Sequence, residues 1–474
     1  MVFSSLVFIC IFLPCVFILY AIIPVKWVRI AILTVASVVF YAYGEPVYVL
    51  LLLGSWIFNY FIALWISKSE KAKAKILIIV CAIVNIGLLV VFKYTNFILE
   101  NLSLIPWLKA GLSGVRLSAA MPIGISFYTF QTLSYVIDVY RGNVAVQKNA
   151  VKLLFYISFF PQLIAGPIVK YRDIAIEIDE RRLDFSETFE GLRRFIFGLG
   201  KKVLLADVFA SAADKIFGAE ASLVNLPVAW LAAICYMLQI YFDFSGYSDM
   251  AIGMGRMFGF HFKENFNYPY IACGIKDFWK RWHISLTDWF REYEYIPMGG
   301  NRGTRLETSL HKVIIFLLTG LWHGANWTFV AWGLFHVIFQ LLEDFLPIRK
   351  LPKAVLHVYT VIVVCVGFVM FRADSLTDGA LMISRMFGGW FSSPDAAVFL
   401  KGFMTPWFIT ILVVGILAVG IIQSVVRMLE KKAALQGFKK VSQVAATVLA
   451  VGVLLLCMMQ LAGSTYHPFI YFRF

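Results

Sequence analysis

Residues 317–336, LLTGLWHGANWTFVAWGLFH, are apolar enough to lie in a membrane, yet they carry two histidines, His323 and His336. An ionisable side chain at membrane depth is costly and marks a proton relay or a substrate path. The competing reading is a histidine whose ring nitrogens bond a neighbouring helix, a use that membrane bundles also make of His. The rest of the chain has to decide between them.

Around that stretch the composition is that of a membrane protein. Of 474 residues, 61% are hydrophobic and 15% charged, and the mean hydropathy is +0.80, whereas soluble domains are roughly 45–50% apolar. Apolar runs near the ~20 residues that cross a bilayer recur at 2–22, 28–43, 47–66, 76–98, 122–140, 151–168, 226–246, 310–322, 327–345, 354–371, 404–426 and 441–462. The expected fold is an all-α polytopic bundle of roughly ten to twelve membrane segments, with 28–43, 122–140 and 310–322 short, tilted or re-entrant. No linker divides the chain, nor any repeat of the kind that marks inverted-repeat transporters. A single integral-membrane domain over 1–474 is therefore expected.

The first apolar run lacks a basic leader and a small-residue cleavage site before Lys26, so it reads as a retained helix. The seven cysteines are scattered without CxxC or His-rich pairing, which points to neither a zinc site nor a disulfide framework. Lys26 and Arg29, SKSEKAKAK (67–75) and RMLEKKAALQGFKK (427–440) all fit one side of the membrane, the cytoplasmic one. The last apolar run then leads outward and the tail GSTYHPFIYFRF (463–474) lies outside. The net charge of +14 becomes an orientation signal and an attraction to anionic membrane lipid. No soluble basic domain exists to bind nucleic acid.

Two polar interruptions stand out, 171–194 and 260–309. Within the second, KDFWKRWHISLTDWFREYEYIPMGGNRG (276–303) starts as an amphipathic helix. Phe278, Trp282, Leu286, Trp289 and Tyr293 share one face, and Arg281, Ser285, Asp288 and Glu292 form a polar stripe. That pattern predicts a helix lying at the membrane interface, ended by Pro297 and Gly299-Gly300. His283 sits between the faces, open to a structural or an interior functional role. Upstream, YFDFSGYSDMAIGMGRMFGF (241–260) spaces its glycines G-x-G-x-x-x-G with no preceding strand, which excludes a nucleotide loop. Gly255 and Gly259 are expected to form a small-residue helix contact. Asp243 and Asp249 are expected to face a cavity or a partner, or else to anchor Arg256 or a backbone turn.

In this order, FDFSGYSDMAIG, NFNYPY, DFWKRWHISLTDWFREYEYIPMGGNR and GLWHGANWTFVAWGLFH resemble the membrane-bound O-acyltransferase family. They look most like its bacterial alginate O-acetyltransferase branch, which is related to the D-alanyl transfer proteins of teichoic acid modification. The resemblance implies a motif core at 240–336 and a helical bundle with re-entrant and interfacial helices around a tunnel. It implies that His323, in the W-H-G motif, is catalytic and that His283 is its upstream partner, while His336 has no counterpart and stays structural. The implied reaction takes acetyl from a cytoplasmic thioester, acetyl-CoA or another acyl donor, as co-substrate, with no bound cofactor and no metal. The acceptor is an extracytoplasmic polysaccharide, reached directly or through a secreted or membrane-anchored serine esterase-like O-acetyltransferase. The setting is the bacterial cytoplasmic membrane.

Neutral imidazole suits this chemistry because it titrates in the range needed to take a hydroxyl proton. Two alternatives stay open: D-alanyl transfer from a carrier protein to a teichoic-acid-type polymer, and a proton-coupled transporter in which both histidines line a proton path. In the tail, Phe469, Tyr471 and Phe474 fit the F-x-Y-x-x-F ending of a small companion peptide in the D-alanyl systems. That likeness makes Tyr471 an acyl relay, and the alternative is an aromatic belt anchoring the last helix. Finally, Lys276, Lys280, Arg281, Arg291, Arg302 and Arg305 outnumber the acids around them. They read either as an attractor for an anionic donor or as snorkelling interfacial residues.

Overall fold

Hydrocarbon leaves a spanning backbone no partner but itself, which restricts lipid-exposed segments to helices or closed barrels. Every regular element among the described residues is helical. The structure is a computed structural model and describes all residues except 113, 119, 391–392, 423, 426–427, 429–435, 464–468 and 471–474. Among the described residues, seven helices are long and apolar enough to cross a membrane, or eight if the bent pair Pro394–Phe403 and Pro406–Ala418 forms one span. Of the remaining expected segments, 310–322 lies in the 19-residue helix Arg305–His323, which is long enough but not apolar enough to count as a span, and the others are shorter. The run at 2–22 supplies only Phe8–Ile22, and the run at 151–168 breaks at Phe159 into Ala150–Ser158 and Phe160–Leu163. The basic stretch 427–440 lies largely outside the described residues.

The chain forms two compact units. The first comprises Met1–Leu192, Ala251–Lys263 and Asp288–Glu294; the second comprises Arg193–Met250, Glu264–Thr287 and Tyr295–Phe474.

The first unit contains α1 (Phe8–Ile22), α2 (Lys26–Gly44), α3 (Val49–Lys68), α4 (Lys71–Leu102), α5 (Ile125–Arg141), α6 (Ala150–Ser158) and α7 (Tyr171–Glu180). Helices α3 and α4 are joined by a reciprocal amide pair, in which each of Asn59 and Asn85 donates to the other at 3.1 and 2.9 Å. Such a pair satisfies two polar groups that would otherwise be stranded among apolar side chains. Asp138 of α5 is fully buried and accepts the Tyr293 hydroxyl at 2.8 Å. Beside it Glu292 is bound by Arg172 and by Lys170, the latter at 2.9 Å. The charged interruption at 171–194 is thus tied back into this unit.

Helices α8 (Phe185–Gly200) and α9 (Leu226–Met257) run antiparallel and touch backbone to backbone at glycines spaced two turns apart on each. A Cβ on Gly191 would lie 2.5 Å from the Gly253 carbonyl oxygen, and one on Gly198 would lie 2.6 Å from that of Gly246. The small-residue contact expected of α9 therefore uses Gly246 and Gly253. Gly255 instead makes room for the Phe262 ring, and Gly259, at φ +79°, turns the chain out of the helix.

The second unit carries α10 (Ile275–Trp279), α11 (Ile284–Phe290, entering at its first turn), α12 (Arg305–His323), α13 (Trp327–Phe345) and α14 (Lys353–Arg372). A Thr304/Glu307 capping box starts α12, and Asn326 caps α13 by accepting from the Thr328 amide. The two helices form a tight hairpin because Gly320 and Gly333 let each backbone approach the other helix's carbonyls at Phe329 and Phe316.

The stretch 276–295 is not one interfacial helix. It breaks after Trp279, turns through His283, and restarts as α11. The five residues expected on one apolar face, Phe278, Trp282, Leu286, Trp289 and Tyr293, are 0–5% exposed and so pack against protein. Trp289, for example, stacks on Phe130 with centroids 3.8 Å apart and donates its indole N–H to the Phe130 carbonyl.

Candidate active site

The break at His283 has a local cause. Asn265, the first residue of NFNYPY, accepts the Ile284 amide on its carbonyl and the Ser285 amide, at 3.2 Å, on its side-chain oxygen. Those amides are thereby taken from a continuing helix, and the turn leaves His283 at φ +44°, a region that non-glycine residues rarely adopt. The His283 carbonyl then accepts from Leu286 and Thr287 to start α11. Strained backbone of this kind persists where surrounding structure over-determines it, and it clusters at functional sites.

The same asparagine sets the histidine's tautomer. Because a backbone N–H can only donate, the Asn265 atom facing Ser285 is its oxygen, and the Asn265 amide nitrogen donates to Ser248 Oγ at 3.1 Å. His283 Nδ1, 3.2 Å from that oxygen, must therefore carry the proton and donate, which gives Nε2 the lone pair. Burial pushes the His283 pKa down to about 3, so the ring is neutral across the physiological range. The Phe244 ring stands edge-on to it at 4.6 Å.

His323 ends α12 and is 4% exposed. Its place is set by aromatic rings: Trp322 at 5.0 Å, Trp332 at 5.2 Å and Phe371 at 5.1 Å, all steeply inclined to the imidazole. Trp322 is also 5.9 Å from His283, so the two histidines share one indole as neighbour. Phe371 continues into a cavity of about 320 Å³ lined also by Tyr236, Asn326, Thr328, Phe329 and Arg372. His336, thirteen residues on, is fully buried between Trp279 and Trp332, with Gly367 against its Nε2. It packs away from the cavity lining, as its structural reading requires.

The cavity has one more wall. Ile470 lines it, and Phe469 beside it is 4% exposed, packed on Tyr247 at 4.6 Å and on Phe244 at 6.1 Å. These two tail residues are inserted into the second unit, which is not how a membrane-surface belt would hold Phe469. Tyr471 and Phe474 lie outside the described residues.

At the other end of the α12–α13 hairpin, Lys276 and Lys312 both pair with Asp344, Lys312 at 2.6 Å. Burial, and then the nearby Lys312 and Arg349 charges, lower the Lys276 pKa to about 8. Arg281 is held by Asp277, and Arg305 lies over the Phe345 ring at 4.0 Å. Helices of 19 and 20 residues separate this basic end from the cavity, a rise of about 28–30 Å.

Residues 143–372 match the membrane-bound O-acyltransferase family. A probable alginate O-acetylase AlgI of Azotobacter vinelandii is 42% identical over 397 residues, which cover 82% of this chain and 79% of that protein. This chain belongs to the membrane-bound O-acyltransferase family. A peptidoglycan O-acetyltransferase of Helicobacter pylori is 37% identical over 431 residues, 82% of this chain and 80% of its own. A teichoic acid D-alanyltransferase of Bacillus subtilis is 29% identical over 279 residues, 52% and 68% of the two chains. The acyltransferase is a multi-pass protein of a bacterial cell membrane.

Two residues of the site carried no role in the sequence reading. Asn265 stood in a quoted motif, and its position eighteen residues before His283 is invisible to helical periodicity. Trp322 was visible only as the neighbour of His323.

Proposed function

We propose that this acyltransferase takes acetyl from a cytoplasmic thioester, most simply acetyl-CoA, and passes it across the membrane for O-acetylation of an extracytoplasmic polysaccharide. The observation that carries the reading is the meeting of His323 and His283 around Trp322 beside a cavity. His323 acts as general base: it takes the hydroxyl proton as the oxygen attacks the thioester carbonyl, the C–O bond forms, the C–S bond breaks, and the thiolate leaves with that proton. General-base help contributes typically ~10²–10⁴-fold. His283, neutral and with its lone pair on Nε2, accepts a hydrogen bond and so orients the attacking hydroxyl. An anionic donor is drawn to the basic end around Lys276 and Lys312, the acceptor approaches through the cavity, and the aromatic lining excludes the water that would hydrolyse the thioester.

In the same reading Tyr471 is the first acceptor. Its phenol oxygen takes the acetyl group as an aryl ester, which is more activated than an alkyl ester and passes downhill to a sugar hydroxyl, directly or through the serine of an esterase-like partner. Acetyl is favoured over D-alanyl because the proteins named as O-acetyl enzymes are more similar and over more of the chain. Membership of an acyltransferase family sets the proton-coupled transporter aside.

Purified protein in liposomes, supplied with acetyl-labelled CoA thioester, tests the reading. Release of free CoA with label moved to the protein or to an added polysaccharide is expected. No turnover of acetyl-CoA, together with turnover of a D-alanyl carrier protein, would replace the donor with the runner-up.

A further inference from the structure

The buried charges of the FDFSGYSD motif are not used by the reaction described above. Lys202 forms ion pairs with both Asp207 and Asp243, each at 2.8 Å, and the Lys202 and Asp243 side chains are only 5% and 3% exposed. The lysine matters to Asp243 because a carboxylate buried without a partner is expensive. The other Asp243 oxygen, Oδ2, accepts the backbone N–H of Ile470 at 2.7 Å, a contact between residues 227 apart. Phe469 fills the adjacent gap against Phe244 and Tyr247, and Phe244 is the ring that also abuts His283. The tail segment is therefore docked by a backbone hydrogen bond to a carboxylate, by an aromatic plug, and by the Ile470 side chain in the cavity wall.

We infer that Asp243, held by Lys202, is a positioning residue that anchors the 469–470 segment in the cavity wall. A main-chain contact of this kind fixes the register of the tail without depending on a particular side chain at 470. Charge assistance makes it stronger than a neutral hydrogen bond. The consequence for acyl transfer rests on the reading of Tyr471 as the relay, whereas the docking itself does not.

Two measurements separate those claims. First, carboxypeptidase trimming of the purified full-length protein, followed by intact mass spectrometry, reads the docking. Trimming should stall at the docked residues in the native protein and pass through Ile470 at least about tenfold faster in Asp243→Ala, a variant in which Lys202 keeps Asp207. Equal trimming in the two proteins overturns the anchor. A merely structural Asp243 would lower the melting temperature without exposing the tail selectively.

Second, Ile470→Pro removes the donated N–H and leaves the Lys202–Asp243 pair untouched, while Ile470→Ala keeps the N–H and removes the side chain. Polymer acetylation should fall about tenfold further in the proline variant than in the alanine variant. Equal losses overturn the role of Asp243 in positioning. Full activity in Tyr471→Phe, with trimming still protected by Asp243, would remove the relay and leave the anchor standing.

Discussion

His283 and His323 are both buried, 1% and 4% exposed, and the described contacts around them differ. His283 stands on strained backbone inside a hydrogen-bonded turn, with its proton assigned by Asn265. His323 closes a regular helix and is seated by the rings of Trp322, Trp332 and Phe371. A polar cage fixes orientation and tautomer, which suits a group that must stay neutral and point. Around His323 three aromatic rings fix the place of the imidazole. That suits the general-base role proposed above for His323.

The largest effect expected from this contrast is at the base. His323→Ala should lower acyl transfer by roughly 10²–10⁴-fold while the protein still inserts and folds, as read by melting and by yield in the membrane fraction. Near-normal turnover in a correctly folded variant would break the assignment of the two roles.

Next comes the cage. Asn265→Ala should reduce turnover about ten- to a hundredfold, the range that follows loss of a partner orienting a functional histidine in metal sites. It should also cost about 1–3 kcal/mol of stability through the polar groups it abandons at Ser248 and Ser285. Stability measured by melting and turnover per folded molecule should both fall; a loss in melting alone would reduce the cage to a structural turn.

The third test uses acid. The folded His283 pKa lies near 3, below the unfolded value of about 6.5. The unfolded chain therefore binds the extra proton first as pH drops below about 6.5, and stability falls with pH from there, by at most about 1.4 kcal/mol per unit. Above about 6.5 the contribution is fully present. Melting at pH 7 and pH 5 should show a larger acid loss in the native protein than in His283→Asn, a substitution that tolerates the positive φ. Parallel losses would mean that the buried neutral ring is not what senses the acid.

The smallest effect on activity is expected at the third histidine. A Cβ on Gly367 would sit 2.6 Å from His336 Nε2, so Gly367→Ala should cost about 1–3 kcal/mol by overpacking with turnover per folded molecule kept. A selective loss of turnover would bring His336 into the chemistry and undo its structural reading.

Much of this molecule is written in local pattern. Hydropathy alone places the chain in a membrane and makes it helical, because lipid leaves the backbone no other partner. Periodicity picked out Phe278, Trp282, Leu286, Trp289 and Tyr293, and all five are buried, although the single helix that would have put them on one face is broken. The four ordered motifs carried the family, and on its likeness rest the roles proposed for His323 and His283.

Tertiary structure decided what that face meets and where the helix breaks. Whether an apolar stripe turns to lipid or to protein depends on burial, and α10 and α11 bury theirs. The break belongs to Asn265, which captures the amides after His283. The crossing of α8 and α9 uses Gly246 and Gly253 where Gly255 and Gly259 offered the same small-residue spacing, because only packing tells which glycine faces the neighbour. The tail's place at the cavity depends on a hydrogen bond between residues 227 apart. A pattern read along the chain reports what a segment prefers, whereas a partner brought in by folding is fixed by the geometry of everything between.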